Sequence, residues 1–228
     1  MLAQLGISAL GSLIGAAIAF LIAALCSKTV RRALTAMAST FLGIQVKYVF
    51  RNGKEAEAAI KQELAESSFV RVFAGRGLQF QESLYSSLLE KGPSSHREVQ
   101  VLMPNPDVPS ETIDWIALRE NELSKVDRSF GQGILREQIR VSIQFLLSHV
   151  HADNFQLRLY SMPHIGRIIV TDQSVFFSPY SSTKHGRDCR VFEYGRGDIY
   201  DNFVRFFDMV WQNSVQPQQQ SDTEQTKP

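Results

Sequence analysis

The sequence predicts an α/β fold, a mixed sheet flanked by helices, with one N-terminal transmembrane helix ahead of it. Three observations carry this. Short β-branched and aromatic runs alternate with longer segments whose apolar residues recur every three or four positions, the pattern of strands packed against helices. The chain has 228 residues, enough for one sizeable domain plus an anchor. Residues 5–25, LGISALGSLIGAAIAFLIAAL, carry no charge.

That uncharged run comes first. At about 1.5 Å rise per residue it spans about 30 Å, the hydrocarbon thickness of a bilayer. A cleaved signal peptide is the alternative, but no Lys or Arg precedes the run. Ala24-Leu25-Cys26 also puts a bulky leucine where a lipoprotein site needs a small residue. An uncleaved single-pass helix in the lipid bilayer is therefore expected. Lys28, Arg31 and Arg32 follow it, which places the N-terminus outside and the C-terminal domain in the cytoplasm. Gly11, Gly15 and Ala19 form a small-residue row suited to close helix pairing and hence a homodimer, although the same row is ordinary membrane-helix composition.

Residues 1–27 are thus read as the anchor, 28–45 as a juxtamembrane helix, 46–214 as the α/β domain and 215–228 as a polar tail. In order, Val46–Phe50 is a strand, broken by Asn52-Gly53. Ala56, Ile60 and Leu64 mark a helix, and Phe69–Ala74 a buried strand closed by Gly75-Arg76-Gly77. Phe80, Leu84 and Leu88 predict the next helix, ended by Gly92-Pro93, and Val99–Met103 another strand. Ser110 is positioned to cap a helix carrying Ile113, Ile116 and Leu123. Leu135, Ile139, Ile143 and Leu146 line a second one. Strands follow at Phe155–Tyr160, Arg167–Thr171, Ser174–Ser178 and Arg190–Tyr194. Asp198 is expected to cap a closing helix with Ile199, Phe203, Phe206 and Val210 inward.

Lys plus Arg (24) nearly cancels Asp plus Glu (23), so any anion binding must be local, and a nucleic-acid partner stays open rather than indicated. Two cysteines, Cys26 and Cys189, make neither a disulfide framework nor a zinc pattern. His149 and His151 do not face each other on a helix and read as helix-terminus residues. Neither a metal nor a cofactor is expected.

The functional candidates cluster in Leu157–Tyr180 and the loop after it. VRVFAGRGLQFQESLYSSLLEKG with VQVLMPNPD, then RIIVTDQSVFFSPYS and YDNFVRFFDMVWQNS, resemble one half of a phospholipase D superfamily domain over residues 46–214. The resemblance implies a phosphodiesterase-like site and, because the family often builds one site from two halves, a homodimer. The family signature is a histidine, one residue, a lysine, four residues and an aspartate. In register on Asp172, Arg167 takes the lysine position and Ile165 the histidine position. In register on His164, Gly166 and Thr171 fall in the other two positions, and a bulge at Gly166 would be needed to bring His164 to the site. With neither register complete, a non-catalytic domain that binds a phosphate-bearing ligand or a protein partner is expected. The alternatives are an active phosphodiesterase with His164 or His185 as nucleophile, and a pure interaction subunit of a membrane complex. Phosphate contacts are expected from Arg167, Arg158, Lys184 and Arg187, against the alternative of a solvated loop paired to Asp188 and Glu193. Asp172 and Ser178 flank the motif turn, where Asp172 also suits an ordinary turn. Gly75-Arg76-Gly77 offers either an anion cradle or a plain turn.

Overall fold

A computed structural model describes residues 12–23, 27–81, 84–89, 97–107, 113–131, 133–149 and 154–217. The expectations at Gly11, Cys26, Gly92-Pro93, Ser110, His151 and the tail beyond residue 217 lie outside these. The chain divides into two compact units, Met1–Tyr48 and Val49–Pro228.

In the first unit, residues 12–23 form helix α1, with Leu13, Ile14, Ile18, Phe20, Leu21 and Ile22 all exposed. Gly15 and Ala19 lie on this helix. Helix α2, Lys28–Leu42, follows and also exposes Met37 and Phe41. Among the described residues no helix is long and apolar enough to cross a membrane.

The second unit is built on a mixed sheet. Strands β2 (Phe69–Phe73), β3 (Glu98–Pro104) and β4 (Phe155–Tyr160) run parallel. Strands β5 (Gly166–Thr171), β6 (Ser174–Pro179) and β7 (Val191–Gly195) form an antiparallel meander whose first strand pairs with β2. With β1 (Val46–Phe50) the order is β1-β7-β6-β5-β2-β3-β4.

Alternation along β5 assigns the two faces. Ile168 and Val170 enter a core with Phe73, Leu102 and Tyr160, closed by Tyr200, Phe207 and Val210 of helix α7 (Asp198–Gln212). Arg167, Ile169 and Thr171 point the other way, and there Thr171 donates to Glu63 of helix α3 (Gly53–Glu66) at 2.9 Å. Helix α3 begins where Asn52 accepts from the Glu55 amide at 2.9 Å. Helix α6 (Ile134–His149) packs against β3, and helix α5 (Trp115–Ser124) against α6.

Three local readings are corrected. Phe80, Leu84 and Leu88 are buried, but as a 3-10 turn at Leu78–Phe80 and a four-residue helix α4 (Ser86–Leu89). Their spacing marked burial, which Gly77 in the left-handed region (φ 78°) and the Phe80–Tyr85 ring contact at 4.7 Å achieve without a continuous helix. Asp114 caps α5, accepting from Ala117, so Ile113 falls before the helix and is exposed. Gly197 is the cap of α7, and Asp198 lies in its first turn, where a carboxylate suits the helix dipole.

Candidate functional site

Where β2 ends, its neighbour β3 is parallel and its neighbour β5 antiparallel. β2 is also where the strand order switches, with β3 on one side and β5 on the other, and such a switch point leaves a crevice at the strand's carboxyl end. Here the crevice is a cavity of about 160 Å3. Its floor is Ala74-Gly75-Arg76-Gly77, directly after β2. His164 comes from the β4–β5 loop and Arg167 from the start of β5. Tyr180 follows β6, and His185, Gly186 and Arg187 come from the next loop. Arg119 and Leu123 on α5 and Leu135 at the start of α6 close the far side. Glu120 fixes that side by accepting from the Gly133 and Leu135 amides at 3.0 and 2.8 Å, capping α6.

Two glycines make the approach of backbone to aromatic ring achievable. A Cβ on Gly75 would lie 2.6 Å from the Tyr180 hydroxyl, and one on Gly166 would lie 2.6 Å from the Ser178 carbonyl oxygen. Burial raises the Tyr180 hydroxyl, against the smaller opposing pull of Arg167 and Arg119.

The charge distribution is uneven. Arg167 is 7% exposed, and its guanidinium hydrogen-bonds the neutral side chain of Gln79. Among the described residues no carboxylate lies within ion-pair distance of it. Arg119, equally buried, is neutralised by Glu122 at 2.7 Å, donates to the Ser181 carbonyl oxygen at 3.0 Å and stacks 5.1 Å from the Tyr180 ring centroid. Arg76 lies over Phe130 and donates to Gln138 at 3.2 Å. Arg187 is open to solvent, 4.0 Å from Asp188.

Two side chains that line the cavity each carry a buried polar atom with no hydrogen-bond partner, the Tyr85 hydroxyl and His164 Nε2. Burial pushes Tyr85 up to about 12 against the opposing pull of Arg167. Burial, with Arg119 beside it, lowers His164 to about 4, so its imidazole is neutral near pH 7. His185 differs: its Nε2 stands 3.3 Å from Asp127. The Ser129 hydroxyl and amide, together with His185 and Arg187, hold the Asp127 carboxyl below the ordinary carboxylate range.

The cavity thus brings together His164, Arg167, His185, Arg187 and Gly75-Arg76-Gly77. His164 arrives without a bulge. Strand β5 starts at Gly166, so His164 belongs to the preceding loop and strand alternation does not govern it. Arg158 is held elsewhere. It pairs in register with Leu102, which faces α7, and its guanidinium sits 4.9 Å from the Trp211 ring and donates to the Trp211 carbonyl oxygen. Lys184 is exposed and does not line the cavity. Asp172 lies at the far end of β5, where it accepts from the Ser68 amide and hydroxyl. Ser178 is opposite Arg167 in the ladder, buried, with its hydroxyl unpartnered.

Sequence patterns passed over Arg119, Tyr85, Gln79 and Asp127. Arg119 carried one signal: with Ile116 and Leu123 it occupies the buried stripe of α5, a place where an arginine needs a reason. Among the described residues no group of three or more His, Cys, Asp or Glu could hold a metal ion.

No family model matches the chain, and no curated protein matches it either. Among solved structures, it is similar to TrmBL2, an archaeal chromatin protein described as showing a novel mode of DNA binding. That likeness has 11% identity and a TM-score of 0.44, and covers 91% of this chain and 70% of that one. It is also similar to Nuc, a phospholipase D family member from Salmonella typhimurium, at 12% identity and a TM-score of 0.43, covering 75% of this chain and 97% of that one.

Proposed function

We propose that the chain is a membrane-anchored, non-catalytic phospholipase D-like domain that binds a phosphate-bearing ligand in the cavity at the end of β2. The observation that carries this is Arg167, a buried cation hydrogen-bonded to a glutamine and lacking a carboxylate counter-ion among the described residues. Burying a charge costs several kcal/mol unless it is paired, and the guanidinium fork fits two phosphate oxygens. Arg119 and Arg76 line the same cavity. The case for binding without catalysis rests on the register that uses Asp172. It puts Ile165 in the histidine position, and Ile165 is 42% exposed.

The test is thermal unfolding of the full-length chain in detergent with inorganic phosphate, pyrophosphate, phosphorylated headgroups, nucleotides and short oligonucleotides. A ligand that binds only the native state raises the midpoint. No response to any of them would leave a pure interaction subunit as the better reading. The anchor is part of the proposal and rests on the uncharged run at residues 5–25. Resistance to alkaline extraction, with a cytoplasmic C-terminal tag, is expected. The second family half would come from another copy of the chain, so disulfide cross-linking of Gly15→Cys should trap a dimer.

One observation favours active phosphodiester chemistry instead. The cavity holds a neutral, unpartnered histidine, His164, and a second histidine oriented by a carboxylate, His185 with Asp127. That pairing suits a nucleophile and a proton donor. His164→Ala and His185→Ala, assayed separately on bis(p-nitrophenyl) phosphate, decide it. Wild-type turnover lost in either variant supports catalysis, and an inactive wild type refutes it.

A further inference from the structure

We propose that helix α2 lies flat in the interface of an anionic lipid bilayer, with Leu34, Met37 and Phe41 immersed at the acyl-chain boundary. The inference does not involve the cavity and goes beyond the anchor at residues 5–25. At about 100° per residue, Val30, Leu34, Met37 and Phe41 fall within about 60° of one another around α2. Helices of water-soluble domains turn such a stripe inward. Helix α2 does the reverse. Leu34, Met37 and Phe41 are exposed, Phe41 at 87%. On the opposite side of the helix, Ser39 is 4% exposed and the Arg32 guanidinium lies 5.3 Å from the Tyr48 ring centroid. The polar side is packed and the apolar side is presented. The helix end continues the stripe. Gly43 is in the left-handed region (φ 68°), and the Ile44 amide donates to the Ser39 carbonyl oxygen at 3.1 Å, which closes the helix. Ile44 then adds another exposed apolar side chain.

Charge decides what covers the stripe. No acidic residue precedes Glu55, so all 23 Asp and Glu residues lie from there onward. The charged side chains before it are all basic: Lys28, Arg31, Arg32, Lys47, Arg51 and Lys54. Three of these six stand in the first two turns of α2. A chain that is nearly neutral overall therefore carries a local excess of positive charge at the helix with the outward apolar stripe. An anionic leaflet attracts such a segment. Apolar residues on one face and basic ones beside them form the pattern of a helix that lies in the interface plane. A second copy of α2 would also cover the stripe, but it would bring like charges together. Lys28 follows the uncharged run by three positions, which under the anchor reading sets the start of α2 at headgroup level.

Nitroxide labels test this on the full-length chain. Cys26 and Cys189 are replaced by alanine, and single labelled cysteines are introduced as Met37→Cys, Phe41→Cys and, away from the stripe, Ala36→Cys. All three positions are exposed, so the labels displace no packing. The proteins are reconstituted into phosphatidylcholine–phosphatidylglycerol vesicles. Power saturation of the EPR signal then compares collisions with oxygen, which partitions into lipid, and with a water-soluble nickel chelate. The Met37→Cys and Phe41→Cys labels should favour oxygen at a depth of about 5–10 Å into the headgroup–acyl boundary, and the Ala36→Cys label should favour nickel. In phosphatidylcholine alone the two stripe labels should lie shallower; an unchanged depth there overturns the role given to Lys28, Arg31 and Arg32. Nickel-accessible labels at all three positions, in a chain that floats with the vesicles, overturn the inference and leave the anchor standing. Spin–spin broadening confined to the stripe labels and lost on dilution with unlabelled chain assigns the stripe to a second copy and overturns the inference equally. A chain that does not float with the vesicles overturns both the inference and the anchor.

Discussion

Arg167→Met separates a binding cation from a structural one. Methionine keeps the length and apolar volume of the arginine stem and removes the charge. In the ligand-free chain the substitution takes away a cation that is 7% exposed and has no carboxylate partner among the described residues. Replacing a buried ion pair or triad with well-packed apolar side chains is neutral or stabilising by about 1–4 kcal/mol, and a buried charge without a partner has less attraction to lose. Losing the Gln79 hydrogen bond offsets about 1 kcal/mol of that. The balance is about 0–3 kcal/mol in favour of the variant. At about 2–4 °C per kcal/mol for a domain of this size, the midpoint rises by up to about 12 °C. Phosphate has the opposite effect: at one hundred times its dissociation constant it stabilises the wild type by about 2.7 kcal/mol and should leave the variant unmoved. Differential scanning fluorimetry in phosphate-free buffer, with and without added phosphate, measures both. The reasoning is refuted if Arg167→Met lowers the ligand-free midpoint by several degrees and phosphate still raises it as in the wild type. Arg167 would then be a structural residue held by Gln79.

The other predictions concern the frame around the cavity. Gly166→Ala brings a Cβ to 2.6 Å from the Ser178 carbonyl and 2.8 Å from the Phe177 ring, so urea unfolding should show a loss of about 1–3 kcal/mol. Gly75→Ala brings a Cβ to 2.6 Å from the Tyr180 hydroxyl and 2.8 Å from its ring, so Tyr180 must shift and phosphate affinity, measured by calorimetry, should fall. Arg158→Ala should cost about 1 kcal/mol, from the lost Trp211 contacts, and leave phosphate binding unchanged in calorimetry. Asp172 sets an acid limit. Burial pushes its carboxyl up, but the Ser68 amide and hydroxyl, with Ser67, pull it below the ordinary carboxylate range. A depressed carboxyl contributes stability that is present above its unfolded pKa and lost as pH falls through the folded one. The acid limb of the stability profile should therefore flatten in Asp172→Asn.

What the sequence made legible follows the reach of its two periodicities. Helix α7 could be read because one face lies in the core and burial imposes the period, and β5, buried on both faces, could be read as a continuous β-branched run between turn residues. The same reasoning failed when carried past an element's end. Alternation carried from Arg167 back across Gly166 turns His164 away from the site. The strand begins at Gly166, and the loop before it sets His164 by its own course. Arg158 failed for the converse reason. It sits well inside β4, and its register partner Leu102 belongs to the α7 core, so the pleat points it to the face opposite Arg167. Nearness in sequence between two strands does not decide which face a residue shares.

The residues that complete the cavity come from segments with no periodic signal of function. Gln79 lies in a 3-10 turn and Tyr85 just before the short α4; Asp127 lies in the turn after α5. Each becomes informative only through what it lacks or holds at a distance. Tyr85 has a buried hydroxyl without a partner, Gln79 is a neutral contact for a buried cation, and Asp127 orients a histidine 58 positions away. A core selected for stability alone would fill such a space with apolar side chains, which cost less to bury than Arg167, Arg119, His164 and Tyr85 do together. Their convergence where β2 has a parallel neighbour on one side and an antiparallel one on the other is what supports the proposal of a charged occupant.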